Sequence, residues 1–294
     1  MHTDSLELSK RMVGGKFLPE KYFHLTGINR SIQSLAYIPN AKQSVIFAGT
    51  DHGLFRSMDS GESWVESKQG LFNQDIRALA VDPKNPQLVY AGTPKGIFKS
   101  EDQGENWIEW FDQASGLKNV FINDLLIDPN QTEIIYAATQ GGLFVSYEGG
   151  DIWEPTGNES LKNESIQTIQ FSAAHPEQLI LITTNNIFRS SDDRKLWERK
   201  WSDLPKNISS VITFKTDPEF IFTGTEKGFY KSFNGGITWI KDENKNLKNI
   251  YSLAKDKKNN SGIFLSSAKG LFYSNNSGDE WLEITPNKNN LKNK

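Results

Sequence analysis

The chain has 294 residues, 36% hydrophobic and 12% aromatic, with 23 glycines and 8 tryptophans, enough for one or two substantial cores and unlike a disordered or fibrous composition. Lys and Arg number 33 against 36 Asp and Glu, a formal net charge of −3, so no global positive field draws nucleic acid or an anionic membrane. The lack of cysteine excludes disulfides, thiolate nucleophiles and cysteine-ligated metals.

Residues 1–26 carry acidic Asp4 and Glu7 and no apolar run of signal-peptide length. Nothing elsewhere in the sequence approaches the roughly 18 apolar residues of a membrane helix, so no membrane insertion is expected and a cytoplasmic location is the expectation. This segment reads as an N-terminal tail or as closing strands. Residues 27–294 read as a single repeat domain.

From Ser31 onward one unit recurs. It begins with a short apolar strand, as at Ile76 to Leu79, Ile122 to Leu125 and Ile250 to Leu253. A reversal rich in Pro and Asx follows, such as Asp82-Pro-Lys-Asn-Pro86 or Asp128-Pro-Asn130. A second strand ends in Gly-Thr, at Gly49-Thr50, Gly92-Thr93 and Gly224-Thr225, and a tight turn leads to a third, such as Gly53-Leu-Phe-Arg56. The third strand runs into an eight-residue box, Ser-x-Asp-x-Gly-x-x-Trp in its fullest form, which occurs six times: Ser57 to Trp64, Ser100 to Trp107, Ser146 to Trp153, Ser190 to Trp197, Ser232 to Trp239 and Ser274 to Trp281. Successive first serines are 43, 46, 44, 42 and 42 residues apart. That period and four short strands per unit predict an all-β propeller of four-stranded antiparallel blades. Six blades are expected. A seventh, built from the first 26 residues, is the alternative, because a ring must remove its edges.

The third box position holds Asp59, Asp102, Glu148, Asp192, Asn234 and Asn276. A carboxylate or amide there accepts backbone N–H bonds from its own turn. Six-fold recurrence marks a structural device, since a propeller has one channel mouth but every blade needs its turn. The fourth box has Arg194 where the others have glycine, and a distorted turn is expected. Trp64, Trp107, Trp153, Trp197, Trp239 and Trp281 are expected to bury their rings between blades.

This box resembles the Asp-box, or BNR, repeat of sialidases, xyloglucanases, sortilin-type receptors and photosystem II assembly factors of the Ycf48/HCF136 type, over roughly Ser31 to Ile284. The resemblance implies a propeller with its boxes on the face opposite the functional site. Among these families the assembly-factor type is most similar, by its single propeller with a box in every blade, although the sequence lacks that family's arginine-rich patch and export signal.

Alignment of the six units places Gln33, Arg77, Asn123, Gln167, Ser209 and Tyr251 in one position of the first strand, at the expected channel mouth. Asp124 follows Asn123, and the second turn contributes His52, Lys95, Gln140, Asn185, Glu226 and Lys269 to the same face. Arg77 is expected either to anchor a partner carboxylate, with Tyr251 as aromatic anchor, or to pair with Asp124 across neighbouring blades. A sialidase needs three convergent arginines, but of the seven present only Arg30 and Arg77 are placed for the mouth. Four scattered histidines give no metal-ligand spacing, and no metal or cofactor is expected. The reading is therefore a non-catalytic scaffold that binds a protein partner or complex, such as an assembly or stability factor. The alternatives are a glycan- or peptide-binding module, or a sialidase- or glycosidase-like hydrolase using Asp124 with Glu226.

Overall fold

The computed structural model describes residues 32–284 except 39–43, 111–115, 118–120, 158, 162–163, 174, 185, 192–193, 200–206, 215–216, 218 and 257–258. Six four-stranded antiparallel sheets form an all-β, six-bladed propeller. Blade 1 comprises β1 (Ile32–Ile38), β2 (Val45–Thr50), β3 (Gly53–Ser57) and β4 (Val65–Glu66). Blade 2 comprises β5 (Ala78–Val81), β6 (Val89–Thr93), β7 (Gly96–Ser100) and β8 (Ile108–Glu109). Blade 3 runs through β9 (Ile122–Ile127), β10 (Ile135–Thr139), β11 (Gly142–Ser146) and β12 (Glu154–Thr156). Blade 4 runs through β13 (Ile166–Phe171), β14 (Leu179–Thr183), β15 (Ile187–Ser190) and β16 (Trp197–Arg199). Blade 5 has β17 (Ile208–Thr213), β18 (Ile221–Thr225), β19 (Gly228–Ser232) and β20 (Ile240–Lys241). Blade 6 has β21 (Ile250–Lys255), β22 (Ile263–Ser267), β23 (Gly270–Ser274) and β24 (Leu282–Glu283). The N-terminal tail or closing strands expected over residues 1–26 lie outside the described residues.

The second strands of blades 1 to 5 are buried on both faces, so apolar residues run along them without alternation, whereas β22 of blade 6 alternates buried and half-buried positions. The terminal Thr closes the turn to the third strand: Thr50 Oγ1 donates to Gly53 O at 2.8 Å and accepts His52 N–H at 3.1 Å. Blades approach closely where this strand carries glycine. A Cβ on Gly92 would lie 2.5 Å from Ile122 Cγ2 of the next blade.

The core lies between blades. Phe47 and Leu54 of blade 1 pack with Phe98 and Trp107 of blade 2. Trp153 fills the corresponding space between blades 2 and 3, and Trp197 that between blades 3 and 4. Trp239 packs on the cluster of Ile182, Ile187 and Val211 between blades 4 and 5, and Trp281 meets Phe229 edge-on at 5.1 Å between blades 5 and 6. Trp64 differs, packing on Ile32, Ala48 and Phe55 of its own blade. The fourth strand starts one residue after the tryptophan in every blade but the fourth, where Trp197 opens it.

Candidate functional site

The two ends of the strands define two faces. At one, the turn between second and third strands meets the segment leading into the next blade: Ile76 N–H donates to Thr50 O at 2.8 Å, and Asn249 N–H to Glu226 O at 2.9 Å. At the other, each box meets the turn between first and second strands, as in Gln103 N–H to Gln87 O at 3.0 Å and Gly235 N–H to Glu219 O at 2.9 Å. Boxes and channel-mouth candidates are thus on opposite faces.

Five of the six aligned positions sit at a break in regular pairing, and the sixth, Arg77, lies just outside its strand. The register shifts between Ile32 and Ser34, Ile122 and Asp124, Ile166 and Thr168, Ile208 and Ser210, and Ile250 and Ser252. The residue passed over each time is Gln33, Asn123, Gln167, Ser209 or Tyr251. In blade 2, Arg77 lies just before β5 and donates its N–H to Gly92 O at 2.9 Å. A bulge bends its strand and re-aims one side chain, so one backbone device presents five of the positions at the top of the channel, and Arg77 joins them from the segment entering β5.

The side chains there are in different states. Arg77 Nε and Nη2 donate to Asp75 Oδ2 at 3.0 and 2.9 Å, and its guanidinium lies 4.7 Å from the centroid of the Phe121 ring. Its side chain stays 37% exposed, so the charge is fixed in direction yet accessible. Arg77 pairs with Asp75 of its own blade and not, as the sequence suggested, with Asp124. Asp124 is 6% exposed and turns to blade 4, where its Oδ2 accepts Thr168 Oγ1 and Ile169 N–H, each at 3.0 Å. Asn123 also bridges to blade 4, donating through Nδ2 to Ile166 O at 2.8 Å. Ser209 Oγ donates to Gly224 O at 3.0 Å. Gln167 is exposed, with Nε2 donating to Ser165 Oγ at 3.2 Å, and Gln33 and Tyr251 are half-buried. His52, Lys95, Gln140, Glu226 and Lys269 are exposed in the turns, His52 Nδ1 lying 2.9 Å from Asp51; Asn185 is outside the described residues.

On the opposite face the boxes hold their own turns. Asp102 accepts Glu105 N–H, Asn106 N–H and Ser100 Oγ at 3.0, 2.9 and 2.8 Å. Asn234 and Asn276 accept the matching N–H of Thr238 and Glu280 at 2.9 and 3.0 Å. The Ser63 hydroxyl and N–H, helped by Ser57, hold the Asp59 carboxyl down at about 2, against a small effect of burial. Burial pushes Asp102 up, but the bonds from Asn106, Ser100 and Glu105 more than offset it and leave it below its ordinary value. Glu148 N–H donates to Ser146 Oγ at 3.2 Å, while Asp192 lies outside the described residues.

Glycine takes a positive φ of 78–98° in five boxes, and Arg194 takes 59°. The fourth turn rearranges around it, as expected: Arg194 N–H donates to Ser191 O, whereas the glycine N–H of the other boxes donates to the first serine's Oγ, and Ser190 Oγ accepts Leu179 N–H.

The channel between the faces encloses a cavity of about 350 Å³ against β9, β13, β17 and β21. Sequence reasoning missed this space, the ion pair of Arg77 with Asp75, and Phe72, which is 83% exposed on the approach to blade 2. The Asp75-x-Arg77 spacing was a usable signal, because side chains two apart on a strand share a face.

No protein-family model matches the chain, and the search of curated proteins finds no match. Solved structures are similar in fold. A GH74 enzyme of Niastella koreensis superposes with a TM-score of 0.66 at 18% identity, covering 85% of this chain and 46% of that one. YCF48 bound to D1 peptide gives a TM-score of 0.66 at 13% identity, covering 86% and 81%. YCF48 from Cyanidioschyzon merolae gives 0.58 at 14%, covering 85% and 88%. The chain thus spans less than half of the GH74 enzyme's length. At these identities the similarity shows the propeller fold, which both enzymes and a peptide-bound protein share.

Proposed function

We propose that this chain is a non-catalytic scaffold of the Asp-box propeller type that binds a protein partner on its bulged face, as an assembly or stability factor for a larger complex. The observation that carries this reading is the ring itself: a backbone bulge repeated in five blades presents Gln33, Asn123, Gln167, Ser209 and Tyr251, and the residue leading into β5 adds Arg77, so six aligned positions carry five different kinds of side chain. Repetition of the backbone with variation of the side chains fits recognition of an irregular protein surface. Arginine and aromatic residues are the usual anchors of such contacts, and Arg77 and Tyr251 supply them.

Two further observations support a scaffold over a hydrolase. Asp124, one of the two carboxylates a hydrolase reading needs, has an oxygen engaged by Thr168 and Ile169, so it is poorly placed as a general acid or nucleophile. The length match to YCF48, one structure of which holds a D1 peptide, is also far better than that to the GH74 enzyme. A tagged pull-down at native abundance tests the proposal. The Arg77→Ala, Tyr251→Ala double variant should fold normally and lose the retrieved partner; retention of every partner rejects the bulged face as the binding surface.

A further inference from the structure

We infer that the axial channel is a separate binding site for a small carboxylate with an apolar body, whose charge pairs with Lys255. The cavity of about 350 Å³ falls within the range of small-molecule sites. It runs along the inner strands from Ser209 at the bulged end to Thr213 and Lys255 at the box end. Asp124 and Lys255 are the two charged residues in its walls.

Most of the wall's polar groups already tie blades and strands together. Asp124 is bonded to Thr168 and Ile169, Gln170 Nε2 donates to Val211 O, Ser210 Oγ accepts Leu253 N–H, and Thr213 Oγ1 accepts Ala173 N–H. Around the Lys255 ammonium the wall is mainly apolar, half-buried Leu126 and Phe171 among it, and the Asp124 charge is held away toward Thr168 and Ile169.

Lys255 Nζ lies 4.4 Å from the centroid of the Phe214 ring, and among the described residues it makes no ion pair. Burial alone acts on it and holds its pKa below the ordinary lysine value. The blade does not require a charge here. The residues in equivalent register at the ends of the other inner strands are Ile38, Val81, Ile127, Phe171 and Thr213. A partly desolvated, unpaired ammonium is costly. A carboxylate would pair with it while its apolar body covers the walls, whereas a cation would meet repulsion and a dianion would bring unpaired charge into the channel.

The test is calorimetric titration of the full chain with sodium hexanoate, with hexylamine and 1-hexanol as isosteric controls. Hexanoate should bind saturably at one site, and Lys255→Met should weaken it at least tenfold. Both controls should bind at least tenfold more weakly than hexanoate. The Arg77→Ala, Tyr251→Ala variant should bind hexanoate like the parent, which separates this site from the partner-binding face. Should Lys255→Met fail to fold, Lys255→Gln replaces it and the same tenfold loss is required. Absence of saturable hexanoate binding, equal affinity in the lysine variant, or equal binding of either control overturns the inference.

Discussion

Arg194 Nη1 lies 2.5 Å from Asp128 Oδ2, so the odd box of blade 4 is fastened to the end of the inner strand of blade 3. The same guanidinium donates to Glu177 O at 2.8 Å and to the Tyr136 hydroxyl at 3.2 Å, and lies 5.1 Å from the Phe171 ring centroid. Asp128 also accepts Asn130 N–H at 2.8 Å. An arginine in a glycine position carries backbone strain, and the bonds across the blade interface compensate for it.

Replacement of Arg194 separates those two contributions. Arg194→Ala should destabilise by about 2–4 kcal/mol, because it keeps the left-handed backbone, loses the pair and leaves Asp128 buried. Arg194→Gly loses the same bonds but relieves the backbone, and should be about 0.5–1 kcal/mol less damaging. Burial pushes the Asp128 carboxyl up, but Arg194 and the N–H groups of Asn130 and Gln131 outweigh it and leave it below its ordinary value. A lowered folded-state value means stability that is present above about pH 4 and is lost as pH falls below it. Urea unfolding from pH 7 to pH 3 should show a shallower acid loss in Arg194→Ala than in the parent.

Trp107 and Asp102 belong to one box and should differ sharply when changed. Trp107→Ala empties the interface of blades 1 and 2, where the ring packs near Phe47 and donates through Nε1 to Ser67 Oγ at 2.9 Å. The expected cost is about 3–5 kcal/mol. Asp102→Asn should cost about 1 kcal/mol, since Asn234 and Asn276 already make the equivalent bonds. Paired thermal melts check this, together with partner retrieval. Loss of retrieval by Asp102→Asn at an unchanged melting temperature would make the box functional.

The blades were legible because the units repeat the same demands: an apolar second strand, a turn closed by Thr or, in blade 6, by Ser267, and a box ending in a tryptophan that is buried in blades 2, 3 and 4 and half-buried in the others. A demand made six times leaves a periodic trace, and alignment of the units even found the bulge positions. What single positions do left no such trace. The direction of Asp124 depends on Thr168 and Ile169, 44 and 45 residues away, while Lys255 matters because five register equivalents are uncharged. The fourth turn's disturbance was readable from Arg194 alone; its partner Asp128, 66 residues earlier, was not.

Asp124 and Glu226 also test the hydrolase alternative. Asp124→Ala should destabilise by about 1–3 kcal/mol, because Ile169 N–H and Thr168 Oγ1 lose a buried acceptor. Glu226→Ala, at an exposed turn position, should leave the melting temperature unchanged. Neither the parent nor either variant should release reducing sugar from xyloglucan. Turnover by the parent that both substitutions abolish would establish the carboxylate pair as catalytic and reject the scaffold.

The last expectation concerns how Arg77 is aimed. Its Nε and Nη2 both donate to Asp75 Oδ2, and the Phe121 ring lies beneath the guanidinium. Asp75→Ala removes the anchor and keeps the positive charge. If partner binding needs only a charge, this variant should bind as well as the parent or better, since the competing carboxylate is gone. If it needs a guanidinium held in one plane for bidentate contact, binding should weaken by about tenfold, and Arg77→Lys should weaken it similarly, because an ammonium cannot reproduce the planar fork. The two bonds to Asp75 and the contact with Phe121 fix orientation as well as position, so weakening in both variants is the expected result. Surface plasmon resonance with the partner from the pull-down, at two salt concentrations, measures it. Tighter binding by Asp75→Ala would show that Arg77 acts as a point charge and that its ion pair is a restraint on binding.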